Sequence, residues 1–146
     1  MENTIVTTPL VLIPAAHVET VWPLAEPHLK RALQFADGEF TLEEARRSIA
    51  DGRFQLWLAW DRAEGRATGA GVTEIFDYPR KRVCFLVLWA SEAPRSRWLD
   101  GLRVVERWAR ENGCKAMRLL GRKGWGRVLD GYRPQYTVFV RSLDEA

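Results

Sequence analysis

Residues 95–140 decide the fold of this chain: RSRWLDGLRVVERWARENGCKAMRLLGRKGWGRVLDGYRPQYTVFV. In the first part of this stretch, apolar residues recur every three or four positions, which is the spacing of one face of a helix. Pro94 suits the start of a helix, and Asn112-Gly113 suits its end, because glycine readily takes the conformation of a helix cap. The sequence therefore predicts an amphipathic helix whose apolar stripe comprises Trp98, Leu102, Val105, Trp108 and Ala109.

Strand and turn signals alternate beyond this helix. Residues 115–120 form a short run typical of a strand. Residues 121–126, in which Trp125 stands between two glycines, indicate a turn that leads into a short helical stretch. Residues 130–132 mark another turn, and the β-prone residues that follow predict a final strand that ends at Val140.

Two helical segments are predicted after a first strand over residues 8–13. The first segment has helical apolar spacing over residues 18–33, but Pro23 and Pro27 lie within it. Because proline removes a backbone donor, we expect a kink or two short helices there. The second segment begins at residues 41–44, TLEE, which form a capping box.

Three strands are predicted next, over residues 54–60, 67–76 and 83–90. Short turns join them, so neighbouring strands must be antiparallel. The third is apolar on both faces, which is typical of a central strand. The amphipathic helix then crosses over to residues 115–120, which should run parallel to residues 83–90. The sequence therefore predicts a single α/β domain with a mixed sheet, helices on both faces and the order β-α-α-β-β-β-α-β-α-β.

Composition narrows the functional classes. The chain has 146 residues, and 47% of them are hydrophobic, which suits one packed domain over residues 1–146. The longest apolar run, residues 83–90, is much shorter than the roughly 20 residues that cross a bilayer. Cys84 and Cys114 lack the spacing of a disulfide framework, and His17 and His28 lack that of a metal site. We therefore expect a cytoplasmic protein with reduced thiols, no metal and no membrane partner.

Charge is distributed unevenly along the chain. The formal net charge is +3, but residues 1–73 carry 7 basic against 10 acidic side chains, whereas residues 74–146 carry 15 against 9. A basic half suits an anionic ligand, such as a nucleotide-bearing cofactor or a nucleic acid. Regularly spaced arginines on a solvated helix face are the alternative interpretation.

The order of elements, together with residues 106–113 (ERWARENG), resembles the GNAT superfamily of acetyl-CoA-dependent N-acetyltransferases. Residues 121–125 (GRKGW), with 73–75 (TEI) and 78–80 (YPR), are more narrowly similar to small GNAT-like proteins of phage and prophage genomes. The order of helices and strands is similar to that of the superfamily over nearly the whole chain. It implies that residues 83–90 splay from their parallel neighbour and leave a V-shaped cleft.

The resemblance also implies acetyl-CoA as the cofactor, with its pantetheine beside the end of the central strand at Trp89, Ala90 and Ser91. Backbone N–H groups in that region would polarise the thioester carbonyl. Trp125 has two interpretations. Its indole either lines the mouth of the cleft, where it would stack on an adenine or a substrate, or fills the core beneath the last helix.

The expected pyrophosphate loop departs from the family pattern. Family members use a glycine-rich loop whose free N–H groups meet the anion at the start of the helix. Here residues 91–97 read SEAPRSR, without glycine, and Pro94 lacks an N–H donor. Glu92 would repel a pyrophosphate. We expect the guanidinium groups of Arg95 and Arg97, with Ser96 between them, to replace the missing amides.

The candidate catalytic residues also differ from the family pattern. The resemblance implies a tyrosine that protonates the leaving thiolate near Arg127-Val128, and neither residue serves as an ordinary acid. Tyr132 stands at the position of a packing aromatic. A general base must take a proton from the attacking amine, directly or through water. Glu74 is the candidate for this role, and Asp77 is the other carboxylate on the same strand.

Three functions follow from these observations. The first is an acetyl-CoA-dependent N-acyltransferase whose amine acceptor is a small molecule, a protein lysine or N-terminus, or a modified base. The second is a GNAT-fold protein without catalysis that binds phage structural proteins as a structural or adaptor component, in the host cytoplasm or the virion; the missing glycines and tyrosine favour it. The third is nucleic-acid binding, which no motif supports, through Arg95, Arg97, Arg103, Arg107 and Arg110.

Overall fold

A five-stranded mixed sheet forms the centre of the fold. The computed structural model describes residues 10–36, 38–121 and 123–144, without the side chains of residues 95, 96, 123 and 124. The strands lie side by side in sequence order. Their bounds are β1 Leu10–Ile13, β2 Phe54–Asp61, β3 Arg66–Asp77, β4 Arg82–Ser91 and β5 Cys114–Leu119.

Strand directions confirm the predicted fold class. β1 to β4 are successively antiparallel, and β5 runs parallel to β4. The predicted central strand corresponds to β4, which has β3 on one side and β5 on the other, although β3 is the middle strand of the five. The predicted first strand begins at Leu10 in the structure, and residues 8 and 9 lie outside the described part of the chain.

Within the described residues, three α-helices and two short 3₁₀ helices accompany the strands. The α-helices are α1 Val18–Leu33, α2 Leu42–Ala50 and α3 Arg95–Glu111. One 3₁₀ helix, Ala15–His17, precedes α1, and the other, Lys123–Arg127, follows β5. The predicted capping box is present, because the Thr41 side chain accepts from the Glu44 N–H and the Glu44 carboxylate accepts from the Thr41 N–H. No helix in the described residues is both long and apolar enough to cross a bilayer.

The two faces of the sheet are covered by different helices, as predicted. On one face, α1 and α2 contribute Trp22, Leu29 and Ile49 to a core cluster. On the opposite face, Val105 and Ala109 of α3 pack in a second cluster. Successive side chains along a strand point to opposite faces of the sheet, so the strands contribute apolar residues to both clusters. The side chains that face α1 and α2 are Leu56, Leu58, Val72 and Leu88. Those that face α3 include Trp57 and Cys84.

Of the two outcomes predicted for the prolines of α1, a kink or two short helices, the division into two short helices is wrong. The helix is continuous from Val18 to Leu33 and contains both Pro23 and Pro27. Both prolines lie on the exposed side of the helix, so the backbone carbonyls that lose a donor can be solvated by water. The opposite side of the helix is buried against the sheet, and this packing holds α1 in one piece.

The predicted final strand is also wrong. Residues 132–144 contain no strand in the structure. The β-prone side chains that suggested one are exposed to solvent, including Val138 and Phe139. A strand requires a neighbour that pairs with its backbone groups, and no strand lies beside this segment within the described residues.

His28 is a buried polar residue where α1 meets the sheet. It is 4% exposed. Its Nε2 lies 3.2 Å from the Ala67 carbonyl oxygen, and an Arg31 guanidinium nitrogen lies 2.8 Å from its Nδ1. Because Arg31 can only donate, Nδ1 accepts and Nε2–H donates, which is the neutral form of the ring. Burial lowers the pKa of His28 below its ordinary value.

This environment predicts that stability decreases at acidic pH. An unfolded histidine takes up a proton below a pH of about 6.5, whereas folded His28 resists it, so the unfolded state binds more protons there. We expect the free energy of unfolding of the wild type to fall as pH drops below about 6.5, by at most about 1.4 kcal/mol per pH unit for this proton. Urea unfolding over a pH series measures it.

The matched variants are His28→Gln and His17→Gln, since His17 is exposed. His28→Gln should remove this component of the pH dependence, although it lowers stability at neutral pH. His17→Gln should leave it in place. An unchanged pH slope in His28→Gln would contradict this assignment.

Candidate active site

β4 and β5 separate partway along their length. They pair from Arg82 with Cys114 to Leu86 with Leu119, where β5 ends. β4 continues to Ser91. Within the described residues, the β4 backbone beyond Leu86 therefore has a strand neighbour only on the β3 side. We call this open edge of β4, residues 87–91, the β4 gap.

A β-bulge lies where the gap begins. Val72 of β3 pairs with Leu88, but the next residue, Thr73, pairs with Leu86, so Val87 is an extra residue in β4. A bulge bends its strand and increases its twist. The bulge therefore coincides with the point where β4 loses its β5 partner, which is where the sequence resemblance implies a cleft.

Three tryptophans line the α3 side of this region. The ring centroids of Trp89 and Trp98 are 6.5 Å apart, and those of Trp98 and Trp125 are 5.6 Å apart. Trp98 belongs to the first turns of α3, and Trp125 belongs to the 3₁₀ helix. Trp125 is half-buried and packs against a cluster formed by Leu86, Leu102 and Leu129. It therefore fills the core between α3 and the 3₁₀ helix, one of its two predicted roles.

Trp89 occupies space left by two glycines. A Cβ atom added to Gly71 would lie 2.4 Å from Trp89 Cε3, so only glycine fits beneath this indole. On the other side, a Cβ added to Gly101 of α3 would lie 3.5 Å from Trp89 Cη2. The Nε1 atom of Trp89 is buried and has no hydrogen-bond partner among the described residues. Since buried polar groups are nearly always paired, this N–H is available to an acceptor that the protein does not supply.

Glu92 is neutralised by arginines. Its carboxylate accepts from Arg66 at 2.8 Å and lies 3.8 Å from Arg31. The hydrogen bond from Arg66 lowers the pKa of Glu92, so the carboxylate is ionised. The Glu92 N–H donates to the Thr68 carbonyl at 2.8 Å, which ties the loop to β3. These ion pairs reduce the repulsion that the sequence suggested between Glu92 and a bound anion.

The structure places the predicted cofactor-binding residues at the end of β4 and at the start of α3. Trp89, Ser91 and Arg97 line one small pocket, together with residues of β1, β2 and α3. The Arg97 side chain is 48% exposed, and its guanidinium lies 4.0 Å from the Asp61 carboxylate at the end of β2. Ala90 lies on β4 within the gap. The side chains of Arg95 and Ser96 lie outside the described residues, but their backbone forms the first turn of α3.

Glu74 lies on the face of the sheet opposite α3. It pairs with Phe54 of β2 and with Phe85 of β4, and Phe54 belongs to the core beneath α1 and α2. Its side chain is only 15% exposed, and one carboxylate oxygen accepts from Arg53 Nε at 3.2 Å. Phe85 directly precedes Leu86, the last β4 residue that pairs with β5. Glu74 is therefore one strand away from the start of the β4 gap.

Arg118 shares this face and was missed by the sequence analysis. It pairs with Phe85, so a carboxylate, an aromatic ring and a guanidinium form a row across β3, β4 and β5. The Arg118 guanidinium donates to the Tyr78 hydroxyl at 2.9 Å and lies over the Tyr78 ring. An arginine within the predicted short strand was a usable signal, but only the register places it beside Phe85.

Tyr132 is a packing residue, as the sequence indicated. Its ring packs against the Leu86, Leu102 and Leu129 cluster, and its hydroxyl donates to Glu106 at 2.7 Å. Burial, reinforced by the Glu106 carboxylate, raises the pKa of Tyr132 far above its ordinary value. The hydroxyl is therefore a poor proton donor to a leaving group. The expected tyrosine position, Arg127-Val128, falls at the end of the 3₁₀ helix.

Thiol and metal chemistry find little support at this site. Burial raises the pKa of the Cys84 thiol to about 12, so it is not a nucleophile at neutral pH. Burial also raises the pKa of Cys114. Among the described residues, no group of three or more His, Cys, Asp or Glu side chains could hold a metal ion.

Solved structures share this fold. An aminoglycoside acetyltransferase from an uncultured soil metagenomic sample, in complex with sisomicin, has a TM-score of 0.70 and 10% identity over 92% of this chain and 95% of that one. A GNAT family acetyltransferase from Staphylococcus aureus has a TM-score of 0.67 and 15% identity, with 92% and 98% covered. The aminoglycoside N-acetyltransferase AAC(6')-Iy in complex with CoA has a TM-score of 0.64 and 18% identity, with 92% and 94% covered.

No protein-family model matches the sequence, and a search of curated proteins found no match. The similarity to solved structures therefore concerns the fold. It confirms the resemblance at that level, because the chain has the fold of GNAT acetyltransferases.

The contact between Gly71 and Trp89 predicts that the stability of the protein is sensitive to a side chain at position 71. Gly71→Ala should destabilise the protein by about 1–3 kcal/mol, because the new methyl group overlaps the indole. Combining it with Trp89→Leu should cost less than the sum of the two single changes, since the smaller side chain makes room. Urea unfolding of the four proteins measures this coupling.

Gly126→Ala is the matched control, because its new methyl group would meet Pro134 at an ordinary 3.9 Å. It should change the free energy of unfolding much less than Gly71→Ala does. Additive effects of Gly71→Ala and Trp89→Leu would contradict the proposed overlap.

Proposed function

We propose that this protein is an N-acyltransferase that transfers an acetyl group from acetyl-CoA to an amine. The observation that carries the proposal is the β4 gap, which begins at a bulge, lies beside the first turn of α3 and is found within a GNAT fold. A neighbour with this fold is solved in complex with CoA, and others are aminoglycoside acetyltransferases. These neighbours support both the cofactor and the class of acceptor.

The residues around the gap fit a CoA thioester. Along the β4 gap, the backbone edge that does not face β3 offers N–H and C=O groups to the amides of a pantetheine, as a neighbouring strand would. The buried Trp89 N–H has no hydrogen-bond partner in the part of the chain that the structure describes. The Arg97 and Trp98 N–H groups donate to the Pro94 carbonyl, so the N–H groups of residues 95 and 96 are the ones at the start of α3 that favour an anion. Arg95 and Arg97 would add positive charge there, with Ser96 between them.

Acetyl-CoA supplies the reactive thioester carbonyl when it is bound. β4 backbone N–H groups near Trp89, Ala90 and Ser91 would hydrogen-bond to that carbonyl oxygen and stabilise the negative charge that develops on it. The chain offers no tyrosine at the expected position for protonating the leaving thiolate, and Tyr132 is committed to Glu106. We therefore assign that proton to solvent.

Glu74 would take the proton from the attacking amine, directly or through one water. It faces the side of the sheet opposite α3, so the acceptor would approach from that side while the nucleotide lies against α3. Arg53 holds one of the two carboxylate oxygens and leaves the other for the proton. We propose an amine-bearing small molecule or protein as the acceptor.

One observation favours a second function. The loop before α3 contains no glycine, and its helix begins after Pro94 without a side-chain cap. A GNAT-fold protein of phage or prophage type that lacks catalysis, and serves as a structural or adaptor component of the particle, would have no need of a phosphate-binding loop. Calorimetric titration with acetyl-CoA separates the two functions, because only the enzyme must bind it.

Charge at the start of α3 should contribute to cofactor binding. We expect the double variant Arg95→Ala with Arg97→Ala to bind acetyl-CoA about tenfold more weakly or worse, because a lost charge-assisted hydrogen bond changes affinity by at least that factor. Isothermal titration calorimetry measures the affinity.

The matched control is Arg107→Ala with Arg110→Ala, which removes the same charge from exposed positions at the other end of α3. It should bind nearly as tightly as the wild type. Equal affinity of the Arg95 and Arg97 double variant and the wild type would remove these arginines from the site.

Loss of the proposed base should affect turnover and leave binding intact. Glu74→Gln keeps the side-chain shape but cannot accept the proton, so turnover should fall roughly 10²- to 10⁴-fold while acetyl-CoA affinity stays nearly unchanged. Transfer of acetyl groups to an amine panel, followed by release of free CoA thiol, measures it. Asp77→Asn is the control on the same strand, since Asp77 is exposed and paired with Arg82. Full activity in Glu74→Gln would eliminate the role.

A further inference from the structure

A row of three side chains crosses the sheet on the face opposite α3. Glu74 of β3 pairs with Phe85 of β4, and Phe85 pairs with Arg118 of β5. Neighbouring strands lie about 4.8 Å apart, so roughly 10 Å separates the backbone of Glu74 from that of Arg118. The row therefore presents a carboxylate and a guanidinium at its two ends, with an aromatic ring between them.

The middle of the row continues into an exposed aromatic surface. The ring of Phe76 meets that of Phe85 edge-to-face at a centroid distance of 6.0 Å and stacks with that of Tyr78 at 6.4 Å. Phe76 is 37% exposed and Tyr78 is 45% exposed. A single exposed apolar side chain is ordinary, but adjoining exposed rings are typical of a binding surface for a flat apolar group. We call Phe76, Tyr78 and Phe85 the aromatic patch.

Arg118 keeps hydrogen-bonding capacity for a further acceptor. A guanidinium carries five N–H donors. One nitrogen of Arg118 donates to the Tyr78 hydroxyl at 2.9 Å, and the group lies 5.6 Å from the centroid of the Tyr78 ring. Within the described residues, no carboxylate pairs with Arg118. Tyr78 therefore positions a half-buried guanidinium whose other N–H groups can bind a carboxylate or a phosphate through two parallel hydrogen bonds.

The opposite end of the row suits an amine. Arg53 Nε donates to one carboxylate oxygen of Glu74 at 3.2 Å, and the other oxygen remains for the amine nitrogen. The guanidinium groups of Arg53 and Arg118 stand on either side of this carboxylate, so the row repels a second positive charge on the acceptor. A polycationic amine is therefore a poorer match than an amine that also carries a negative charge.

We propose that the amine acceptor carries an anionic group, a carboxylate or a phosphate, on the far side of a flat apolar body. Its amine lies at Glu74, its apolar body on the aromatic patch and its anion at Arg118. This inference rests on the proposed acetyl transfer, because it names the class of acceptor for the same site. In the transfer, the nitrogen bonds to the acetyl carbon as the carbon–sulfur bond breaks, the amine proton passes to Glu74, and the thiolate takes a proton from solvent.

Three aromatic amines of matched shape test the proposal: para-aminomethylbenzoate, its uncharged carboxamide and the corresponding phenylphosphonate. Isothermal titration calorimetry of the full chain with each amine measures binding without any need for turnover. The wild type should bind the benzoate at least about tenfold more tightly than the carboxamide, because only the benzoate forms charge-assisted hydrogen bonds with Arg118. Tighter binding of the phosphonate than of the benzoate assigns the natural acceptor to the phosphates, and weaker binding assigns it to the carboxylates.

Arg118→Met keeps the aliphatic length of the side chain and removes its charge. It should bind the benzoate and the carboxamide equally, with the carboxamide affinity close to that of the wild type. Phe76→Leu should weaken both amines about two- to tenfold, because it removes a ring of the aromatic patch and leaves Arg118 in place. The matched control is Arg110→Met, at an exposed position of α3, which should retain the full preference for the benzoate. Far-UV circular dichroism should show that all three variants remain folded.

Acetyl transfer in the presence of acetyl-CoA separates this inference from the function on which it rests. The kcat/KM of the wild type should favour the benzoate over the carboxamide by the same factor as binding does. Transfer to both amines with equal kcat/KM would uphold the enzymatic function and overturn this inference. Selective binding of the benzoate that is lost in Arg118→Met, without transfer to any amine, would refute the enzymatic function and uphold Arg118 as the site of the anion.

Two binding results also overturn the inference, whatever the outcome of the transfer assay. One is a wild type that binds the benzoate no more tightly than the carboxamide, or that binds neither. The other is a preference for the benzoate that persists in Arg118→Met.

Discussion

The end of pairing between β4 and β5 is the constraint on which the candidate site depends. Up to Leu86 the β4 backbone is hydrogen-bonded on both sides, and beyond Leu86 it keeps a partner only in β3. The extra residue Val87 bends β4 at this point, and the chain then turns into α3. A parallel pair that continued to Ser91 would close the gap and leave the first turn of α3 without a cleft to face.

Packing on the two faces of the sheet holds this gap in place. On the α3 face, Trp89 fits over Gly71, where any larger residue would overlap the indole, and it extends the row of tryptophans toward the 3₁₀ helix. On the other face, Glu92 is held by Arg66 and Arg31 beside the buried His28. The loop between β4 and α3 is thus held by these ion pairs and by the backbone hydrogen bond from Glu92 to Thr68.

The sequence predicted the architecture from periodicity and order. A doubly apolar strand followed by an amphipathic helix and a short strand was enough to predict parallel pairing of β4 and β5. The predicted division of α1 into two helices and the predicted final strand failed because local propensity was overruled. Packing of one side of α1 against the sheet keeps the helix continuous through Pro23 and Pro27, and within the described residues no strand lies beside residues 135–140.

The side-chain contacts of the site could not be predicted from the sequence, because they join residues that are far apart in the chain. Glu92 and Arg66 are 26 positions apart, and no periodicity reveals that they meet. Gly71 within a strand was a usable signal of close approach, but it did not identify Trp89 as the neighbour. Glu74 was selected for its place in an apolar strand, whereas its ion pair with Arg53 and its row with Arg118 follow only from register.

Hydrogen exchange of the β4 backbone with and without acetyl-CoA tests the central claim most directly. If the cofactor lies along the β4 gap, those amides of residues 87–91 that face away from β3 should gain protection on its addition, together with those of the first turn of α3. Amides of β2 should change little, because that strand is already paired on both sides. Saturating acetyl-CoA that leaves residues 87–91 unchanged, or that protects only a distant surface, would contradict the account.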